Sequence, residues 1–383
     1  MTGSRSHVVV AGAAQAPYTR HADPGATTPG VLAQAVRYAL ADAGLTTGDV
    51  DGFGVSSFTL GPDHAIDLAW RLGLRADWLM EDTNGGASAG GLLQHAMRAI
   101  ESGDATVIVL VAGDHFGGDS FTRLVHTYNQ ATVDHLAPLP ATGPNGLFAM
   151  LTQRQMARLG LEREDYGRLV VAQRSWAGLN PGAVYRDPLS LEEYLAAPMV
   201  ADPLGRYDCV PPVTGADAII VTTDDRVPGR HPRVLAVSTA YHSSDQFGDG
   251  LRTGVAQSAP RAWELSGVGP DDIDVMSVYD DYPAIVVAQL VDLGVTSEAD
   301  VARFLRDDVA TRRRPVNTSG GQLSAGQAGA AGGMHGVVEV VQQLRGRAGE
   351  RQVEARLGLV SGYGMVLYRH GACGNVMILE AAE

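Results

Sequence analysis

Residues 81–104 combine a glycine-rich turn with the start of a helix, a combination that often forms a ligand site. Gly85 and Gly86 precede an apolar pattern of helical spacing. Glycines in front of a helix let another group approach its N-terminus closely, and that end of a helix attracts negative charge. Ser88 brings a hydroxyl group to the turn. A serine nucleophile needs a base within hydrogen-bond reach, and the sequence offers no evident base nearby, so the turn predicts binding rather than covalent chemistry.

A second glycine-rich segment, residues 316–333, repeats this layout. In both segments an Asn, a run of glycines and a helix with an apolar stripe follow one another. The surrounding elements repeat as well, because a strand, a helix and a connector follow both His7 and Arg233. Strand–helix alternation predicts an α/β fold. The duplication predicts a pseudo-twofold core with two glycine-rich helix starts near its centre.

The composition excludes several classes of protein. Of 383 residues, 45% are apolar, which is enough for a sizeable core, but no apolar run approaches the ~18 residues of a membrane-spanning helix. The first residues lack the layout of a signal peptide, so we expect a cytoplasmic protein. The net charge of −14 disfavours nucleic acid as a partner. Two cysteines cannot form a disulfide framework or a zinc site alone, and His335 and His370 lack ligands at metal-binding spacing.

The stretch between the two copies does not repeat and holds much of the proline and tyrosine. We therefore predict an N-terminal half over residues 1–120 and a C-terminal half over residues 231–383. Residues 121–230 are predicted to form an inserted loop domain and the return to the core. Such an insertion either covers a ligand site or has a purely structural role, and the sequence leaves both open.

Together these segments resemble the thiolase superfamily over nearly the whole chain. The most specific pieces are residues 316–333, which are similar to the family's glycine-rich Gly-His-Pro segment, and residues 211–221. Within the superfamily the chain is most similar to the lipid-transfer-protein or sterol-carrier-protein-X type. The resemblance implies an α/β fold with a duplicated, five-layered α-β-α-β-α core and an inserted loop domain.

The catalytic residues of thiolases are absent from the positions that the resemblance assigns to them. Ala87 stands in place of the nucleophilic cysteine, and a methyl group cannot attack a thioester. Gln327, after Gly326, replaces the Gly-His-Pro histidine and cannot act as a general base. The turn of the second catalytic cysteine falls at Tyr363 or, in another register, at Tyr368. Ordinary thiolytic chemistry is therefore not expected.

Tyr279, Tyr282 and Tyr363 match positions that line the catalytic pocket in this family. Retro-aldol cleavage of a β-hydroxyacyl thioester needs an oxyanion hole and acid–base groups, but no nucleophile and no metal. A tyrosine base requires a pKa below the usual ~10 and a tyrosine acid does not, so which tyrosine fills which role stays open. The other interpretation is that Tyr279 and Tyr282 are aromatic packing at a strand–helix junction. Asp280 and Asp281 either orient these tyrosines or cap the next helix, and capping is favoured for Asp281.

Further candidates surround this set. Substrate contacts are expected from Gly326, Gln327, Ala87 and Ser88 by resemblance, and from His115 at the end of an apolar strand, although a structural role is favoured for His115. The strand over residues 105–113 is apolar enough to be buried on both faces. It is expected to run beside its copy in a homodimer.

The steroid side-chain aldolases of bacterial sterol catabolism lack the thiolase cysteines, and this chain is similar to that group. The resemblance implies a lyase that cleaves a 17-hydroxy steroid with a three-carbon acyl-CoA side chain into a 17-keto steroid and propionyl-CoA. It also implies a heterotetramer of a homodimer core and a zinc-ribbon/OB-fold partner, with zinc bound only by the partner. Two alternatives are a catalytically silent acyl-CoA-binding subunit and a thiolase with a non-cysteine mechanism.

Overall fold

The computed structural model describes residues 7–117, 120–127, 133–134, 143–241, 249–367 and 370–382. Tyr368, the alternative residue for the second cysteine turn, and the side chain of His370 lie outside the described part. Across the described ranges, no helix is both long and apolar enough to cross a lipid bilayer.

Helices and strands alternate along the chain, as the sequence pattern predicts. The strands are β1 (Val8–Thr19), β2 (Gly52–Ser56), β3 (Trp78–Glu81), β4 (Ile108–Asp114), β5 (Met199–Ala201), β6 (Leu204–Gly205), β7 (Thr214–Thr223), β8 (Arg233–Tyr241), β9 (Val275–Val278), β10 (Leu357–Leu367) and β11 (His370–Glu380). The α-helices are α1 (Thr28–Ala43), α2 (His64–Leu72), α3 (Ser88–Ser102), α4 (Ser120–Thr127), α5 (Pro144–Leu159), α6 (Arg163–Gly178), α7 (Leu191–Ala196), α8 (Val255–Ser266), α9 (Pro283–Asp292), α10 (Val301–Phe304), α11 (Gly321–Ala325) and α12 (Gly332–Leu344).

The main sheet consists of two halves. Its strand order is β3-β2-β4-β7-β1-β8-β11-β10-β9. The halves are joined between β1 and β8, where the ladder contains the single residue pair Val9 and Arg233. The N-terminal elements and β7 form one half, and β8–β11 form the other.

The helices complete five layers. Helices α3 and α12 lie between the two sheet halves and contact strands of both. Helices α1 and α2 cover the outer face of the N-terminal half, and α8 and α9 cover the outer face of the C-terminal half. This arrangement is the five-layered α/β core that the resemblance implied. The division into parts at residues 120 and 230 stays a prediction.

The two glycine-rich helix starts meet at the centre of the core. A 3-10 turn precedes each inner helix, at Gly85–Ala87 before α3 and at Gly329–Ala331 before α12. A Cβ at Gly333 would lie 2.3 Å from the carbonyl oxygen of Gly86. The helix starts are therefore in backbone contact, and the prediction that they lie together near the centre is confirmed.

The strand expected at the dimer contact is an interior strand. It is β4, which pairs with β2 on one side and with β7 on the other. All of its residues are buried because it is covered on both faces. Both of its edges are occupied, so it cannot pair with a second copy, and that expectation was wrong. The N-terminal half of the sheet ends at β3, which pairs only with β2 in the described part of the chain.

The close contact between the two helix starts predicts that a side chain added at Gly333 lowers the stability of the fold. Gly333→Ala should destabilise the protein by about 1–3 kcal/mol, because its Cβ meets a backbone oxygen that cannot rotate away. The matched control is Gly48→Ala, where the nearest atom to the new Cβ is Thr46 Oγ1 at 3.6 Å. Thermal unfolding should show a lower midpoint for the first variant alone. Equal midpoints would contradict the contact.

Candidate active site

A cavity of about 510 Å³ lies beside the two glycine-rich helix starts. Tyr279, Tyr282 and Tyr363 all line its wall. Tyr279 and Tyr282 both lie in the short junction between β9 and α9, whereas Tyr363 comes from β10, in a distant part of the sequence. The structure therefore brings together the three tyrosines that the resemblance selected. The volume is within the range of small-molecule sites.

The glycine turns provide the space for the Tyr279 ring. A Cβ at Gly86 would lie 2.0 Å from Tyr279 Cε2, and a Cβ at Gly332 would lie 2.9 Å from the same atom. Any larger residue at these positions would overlap the ring. Glycine is required at Gly86 and Gly332 because the backbone of each turn packs directly against the Tyr279 ring.

The Tyr279 hydroxyl is bound to a carboxylate. It donates a hydrogen bond to Asp281 Oδ2 at 2.9 Å. Burial, the Asp281 charge and this hydrogen bond raise the pKa of Tyr279 well above its ordinary value, while a hydrogen bond with Gln327 acts in the opposite direction. Tyr279 is therefore a protonated phenol at neutral pH, and it does not act as a phenolate base.

Asp281 does not cap α9. The N-cap residue of that helix is Tyr282, and no side chain caps the helix end. Asp281 instead lines the cavity and holds the Tyr279 hydroxyl. The capping expectation was wrong, because the first donor available to the carboxylate is the phenol two residues earlier. Burial, and to a smaller extent the neighbouring Asp280 charge, raise the pKa of Asp281 to about 7, although the hydrogen bond from Tyr279 lowers it.

Tyr282 and Tyr363 are held by packing around the cavity. The Tyr282 ring stacks on Phe148 with 4.3 Å between centroids, and its hydroxyl donates to Asn145 Oδ1 at 2.6 Å. The Tyr363 ring lies against Gly371, where a Cβ would lie 2.5 Å from the ring. Both rings are buried. Tyr282 and Tyr363 are therefore packed into the core and also line the cavity.

Two further buried carboxylates hold the surrounding backbone in place. Asp114, at the end of β4, accepts hydrogen bonds from the backbone N–H groups of Phe58 and Ala330, both at 2.8 Å. Asp280 accepts from the backbone N–H groups of Gln322 and Leu323 at the start of α11. Burial raises the pKa of each carboxyl to about 6, although the hydrogen bonds oppose the shift. Asp114 was not among the predicted site residues, because its only local sign in the sequence is its place at the end of an apolar strand.

Of the expected substrate contacts, Gln327 lines the cavity, and Gly326, Ala87, Ser88 and His115 do not. Gly326 adopts a φ of 118°, and a Cβ there would lie 2.9 Å from Val213. His115 Nδ1 lies 3.1 Å from Thr214 Oγ1, which agrees with the favoured structural role.

Ser88 has a carboxylate partner that the sequence did not reveal. Its Oγ donates to Asp82 Oδ1 at 2.7 Å. Both side chains are buried and neither lines the cavity. The pair therefore fixes the start of α3 and lacks the access that a nucleophile needs.

The surroundings of Cys209 and Cys373 favour the protonated thiol over the thiolate. Burial, followed by the charge of Asp208, raises the pKa of Cys209 to about 12. Burial, followed by the charge of Asp82, raises the pKa of Cys373 to about 11. Cys209 lines the cavity and Cys373 does not. Because the thiolate is the nucleophilic form, neither cysteine is activated. The sequence contains no local sign that Cys209 reaches the cavity, because this position depends on how residues 121–230 fold.

Comparisons with known proteins agree with this geometry. Residues 236–380 match the profile of the family described as thiolase C-terminal domain-like. A 17-hydroxy-3-oxo-4-pregnene-20-carboxyl-CoA lyase of Mycobacterium tuberculosis is 32% identical over 82% of this chain and 86% of its own length. A steroid side-chain-cleaving aldolase of Thermomonospora curvata is 30% identical over 82% of this chain and 84% of its own length.

The fold has a solved relative as well. The structure of an Ltp2-ChsH2(DUF35) aldolase superposes with a TM-score of 0.83 at 26% identity, covering 98% of each chain. The sequence relatives span most of the chain, and the structural relative spans nearly all of it. The chain therefore belongs to the thiolase superfamily, alongside the steroid side-chain-cleaving aldolases.

Proposed function

We propose that this protein is a lyase that cleaves a carbon–carbon bond of a β-hydroxyacyl-CoA by a retro-aldol reaction. The observation that carries the proposal is the convergence of Tyr279, Tyr282, Tyr363 and Asp281 on one cavity. These groups transfer protons and donate hydrogen bonds. The cysteine on the same wall, Cys209, has a raised pKa and is not an activated nucleophile.

The reaction uses acids and bases only. A base takes the proton of the β-hydroxyl, the Cα–Cβ bond breaks, and a ketone leaves. The electron pair of that bond enters the thioester as an enolate, which hydrogen-bond donors stabilise and an acid then protonates at Cα. Tyrosines with protonated hydroxyls suit the donor and acid roles. We propose no metal or cofactor for this chain, since no step requires one.

For the substrate, we propose a steroid that carries a 17-hydroxy group and a three-carbon acyl-CoA side chain. The products are then a 17-keto steroid and propionyl-CoA. The names of both sequence relatives support this class. Apolar side chains on the cavity wall offer contacts to a ring system; these are Phe58, Phe121, Leu124, Val125 and Phe148. A CoA thioester substrate favours a cytoplasmic location.

The direct experiment is product analysis. The protein is co-expressed with the proposed zinc-ribbon/OB-fold partner; the solved relative, an Ltp2-ChsH2(DUF35) aldolase, supports a partner of the DUF35 class. The complex is incubated with 17-hydroxy-3-oxo-4-pregnene-20-carboxyl-CoA, and the products are identified by mass spectrometry. Ketone and propionyl-CoA in equal amounts are expected. Tight binding without cleavage would instead support the silent acyl-CoA-binding subunit.

The tyrosine hydroxyls give a prediction for turnover. Tyr279→Phe, Tyr282→Phe and Tyr363→Phe should each lower kcat by the ~10²–10⁴-fold typical of a positioned acid or base, with a much smaller change in KM. Ser88→Ala should leave kcat within about twofold, because Ser88 lies off the cavity wall and no acyl-enzyme forms. Steady-state kinetics of the four variants provide the measurement. Loss of activity in Ser88→Ala with full activity in the tyrosine variants would point to a thiolase-like serine mechanism.

We also propose a homodimer core formed through the edge of β3, to which two partner chains add to give a heterotetramer. Leu79 on this edge strand is 41% exposed, and Trp70 on the adjoining α2 is 77% exposed. An unpaired strand edge offers hydrogen-bonding groups to a second strand. Apolar side chains beside the edge add area that pairing would bury.

The proposed dimer contact predicts a change in molecular mass. The unmodified protein should be a dimer at micromolar concentration, and the double variant Trp70→Lys/Leu79→Lys should be a monomer because like charges would meet at the interface. Leu265→Lys, on the outer helix α8, is the matched control and should remain dimeric. Sedimentation velocity distinguishes the two states. A dimeric double variant, or a monomeric unmodified protein, would contradict the proposal.

A further inference from the structure

Of three carboxyl groups near the cavity, Asp114 and Asp280 are buried, whereas Asp281 is half-buried and lines the cavity wall. Asp114 and Asp280 each accept several hydrogen bonds, including backbone N–H donors on both oxygens. Among the described residues, Asp281 accepts one hydrogen bond, from the Tyr279 hydroxyl to Oδ2. Its Oδ1 is shielded from solvent and has no hydrogen-bond partner among the described residues. A carboxylate with so few donors has a high affinity for a proton.

The Tyr279 hydroxyl is hydrogen-bonded to this carboxylate at the cavity wall. The phenol oxygen donates its own proton to Asp281, and besides the hydrogen bond with Gln327 it keeps one lone pair that can accept another. Tyr279 and Asp281 both line the cavity wall. A substrate hydroxyl that donates to the phenol would therefore join Asp281 in a chain of two hydrogen bonds.

A tyrosine cannot act alone as the base here. A phenolate needs a cation or several donors to lower its pKa, and no Lys or Arg is among the described residues that line the cavity. The Asp281 charge has the opposite effect, because it raises the pKa of Tyr279. A proton accepted by Tyr279 must therefore leave it in the same step.

Resting on the proposed retro-aldol function, we propose that Tyr279 and Asp281 act together as the general base, with Asp281 as the final proton acceptor. The β-hydroxyl proton passes to Tyr279 Oη while the Tyr279 proton passes to Asp281 Oδ2. The O–H electron pair forms the ketone C=O bond, and the Cα–Cβ pair enters the thioester enolate. One of the Tyr282 and Tyr363 hydroxyl groups donates its proton to Cα of that enolate and regains a proton from solvent. Asp281 then loses its proton to solvent, so the numbers of protons gained and lost are equal.

The charged and titratable groups around Asp281 agree with this role. Burial and the adjacent Asp280 raise the pKa of Asp281 to about 7, which is near the optimum for a base at neutral pH. Protonated Asp281 cannot accept a proton, so the rate should fall as pH drops through about 7. The other titratable side chains that line the cavity with it are His126, Cys209, Tyr279, Tyr282 and Tyr363.

The protein contains a matched pair outside the cavity. Asp217 accepts the Tyr18 hydroxyl and is fully buried, and its Oδ1 also lacks a partner in the described part of the chain. Burial raises the pKa of Asp217 to about 8. Asp217 does not line the cavity, so Asp217→Asn tests the effect of removing a buried, tyrosine-bound charge without touching the site.

The test compares Asp281→Asn with Asp217→Asn in the complex with the partner, using 17-hydroxy-3-oxo-4-pregnene-20-carboxyl-CoA. Asn still accepts the Tyr279 hydrogen bond, but it cannot take up the proton. Asp281→Asn should lower kcat by ~10²–10⁴-fold with little change in KM, and it should lose the rise of kcat through about pH 7. Asp217→Asn should keep both kcat and the pH profile. Tyr279→Phe/Asp281→Asn should be no slower than the slower single variant, because the pair acts as a unit.

Two results would overturn the inference while leaving the lyase function intact. One is an active unmodified enzyme whose Asp281→Asn variant keeps its kcat and pH profile. The other is an unmodified enzyme whose kcat does not rise through about pH 7, and this measurement stands even if Asp281→Asn does not fold. Absence of cleavage by the unmodified complex is a different outcome, since it would overturn the proposed function on which the inference rests.

Discussion

The centre of this protein depends on a contact that leaves no room for a Cβ. Gly86 lies between the backbone at Gly333 and the ring of Tyr279, and a methyl group on it would overlap that ring. Two helices from the two sheet halves can therefore start at the same place and still enclose an aromatic side chain. Close-packed interiors transmit such constraints, because neighbouring groups cannot move aside freely. The position of Tyr279, and with it the geometry of the cavity, follows from this contact.

The carboxylates near the cavity fall into two kinds because packing gives them different hydrogen-bond donors. Asp114 and Asp280 face backbone N–H groups at helix or turn starts and are satisfied by them. These hydrogen bonds offset part of the cost of burying a charge, and removing the donors would be costly. Asp281 faces a phenol and the cavity, so its charge is poorly compensated. Incomplete satisfaction of a buried polar group at a cavity is typical of sites that do chemistry.

Much of the fold could be predicted from the sequence, because the glycine-rich helix starts and the strand–helix alternation are local signals that occur twice. The three tyrosines could be selected by resemblance. Two expectations failed where local pattern and tertiary context disagree. Buried apolar character in β4 suggested a dimer strand, but such character equally marks an interior strand. An Asp before Pro283 suggested a helix cap, but the nearest donor was the Tyr279 phenol. Asp114 and Cys209 acquire their positions from long-range contacts that no local pattern encodes.

The central claim is that cleavage proceeds through an enolate and proton transfers, without an acyl-enzyme. Turnover of the steroid acyl-CoA in deuterium oxide tests it most directly, because the enolate must take one hydrogen from the medium or from an exchanged side chain. Mass spectrometry should find propionyl-CoA with one deuterium at Cα, and a protein mass unchanged during turnover. Propionyl-CoA without deuterium, or a protein carrying an acyl group, would contradict the account.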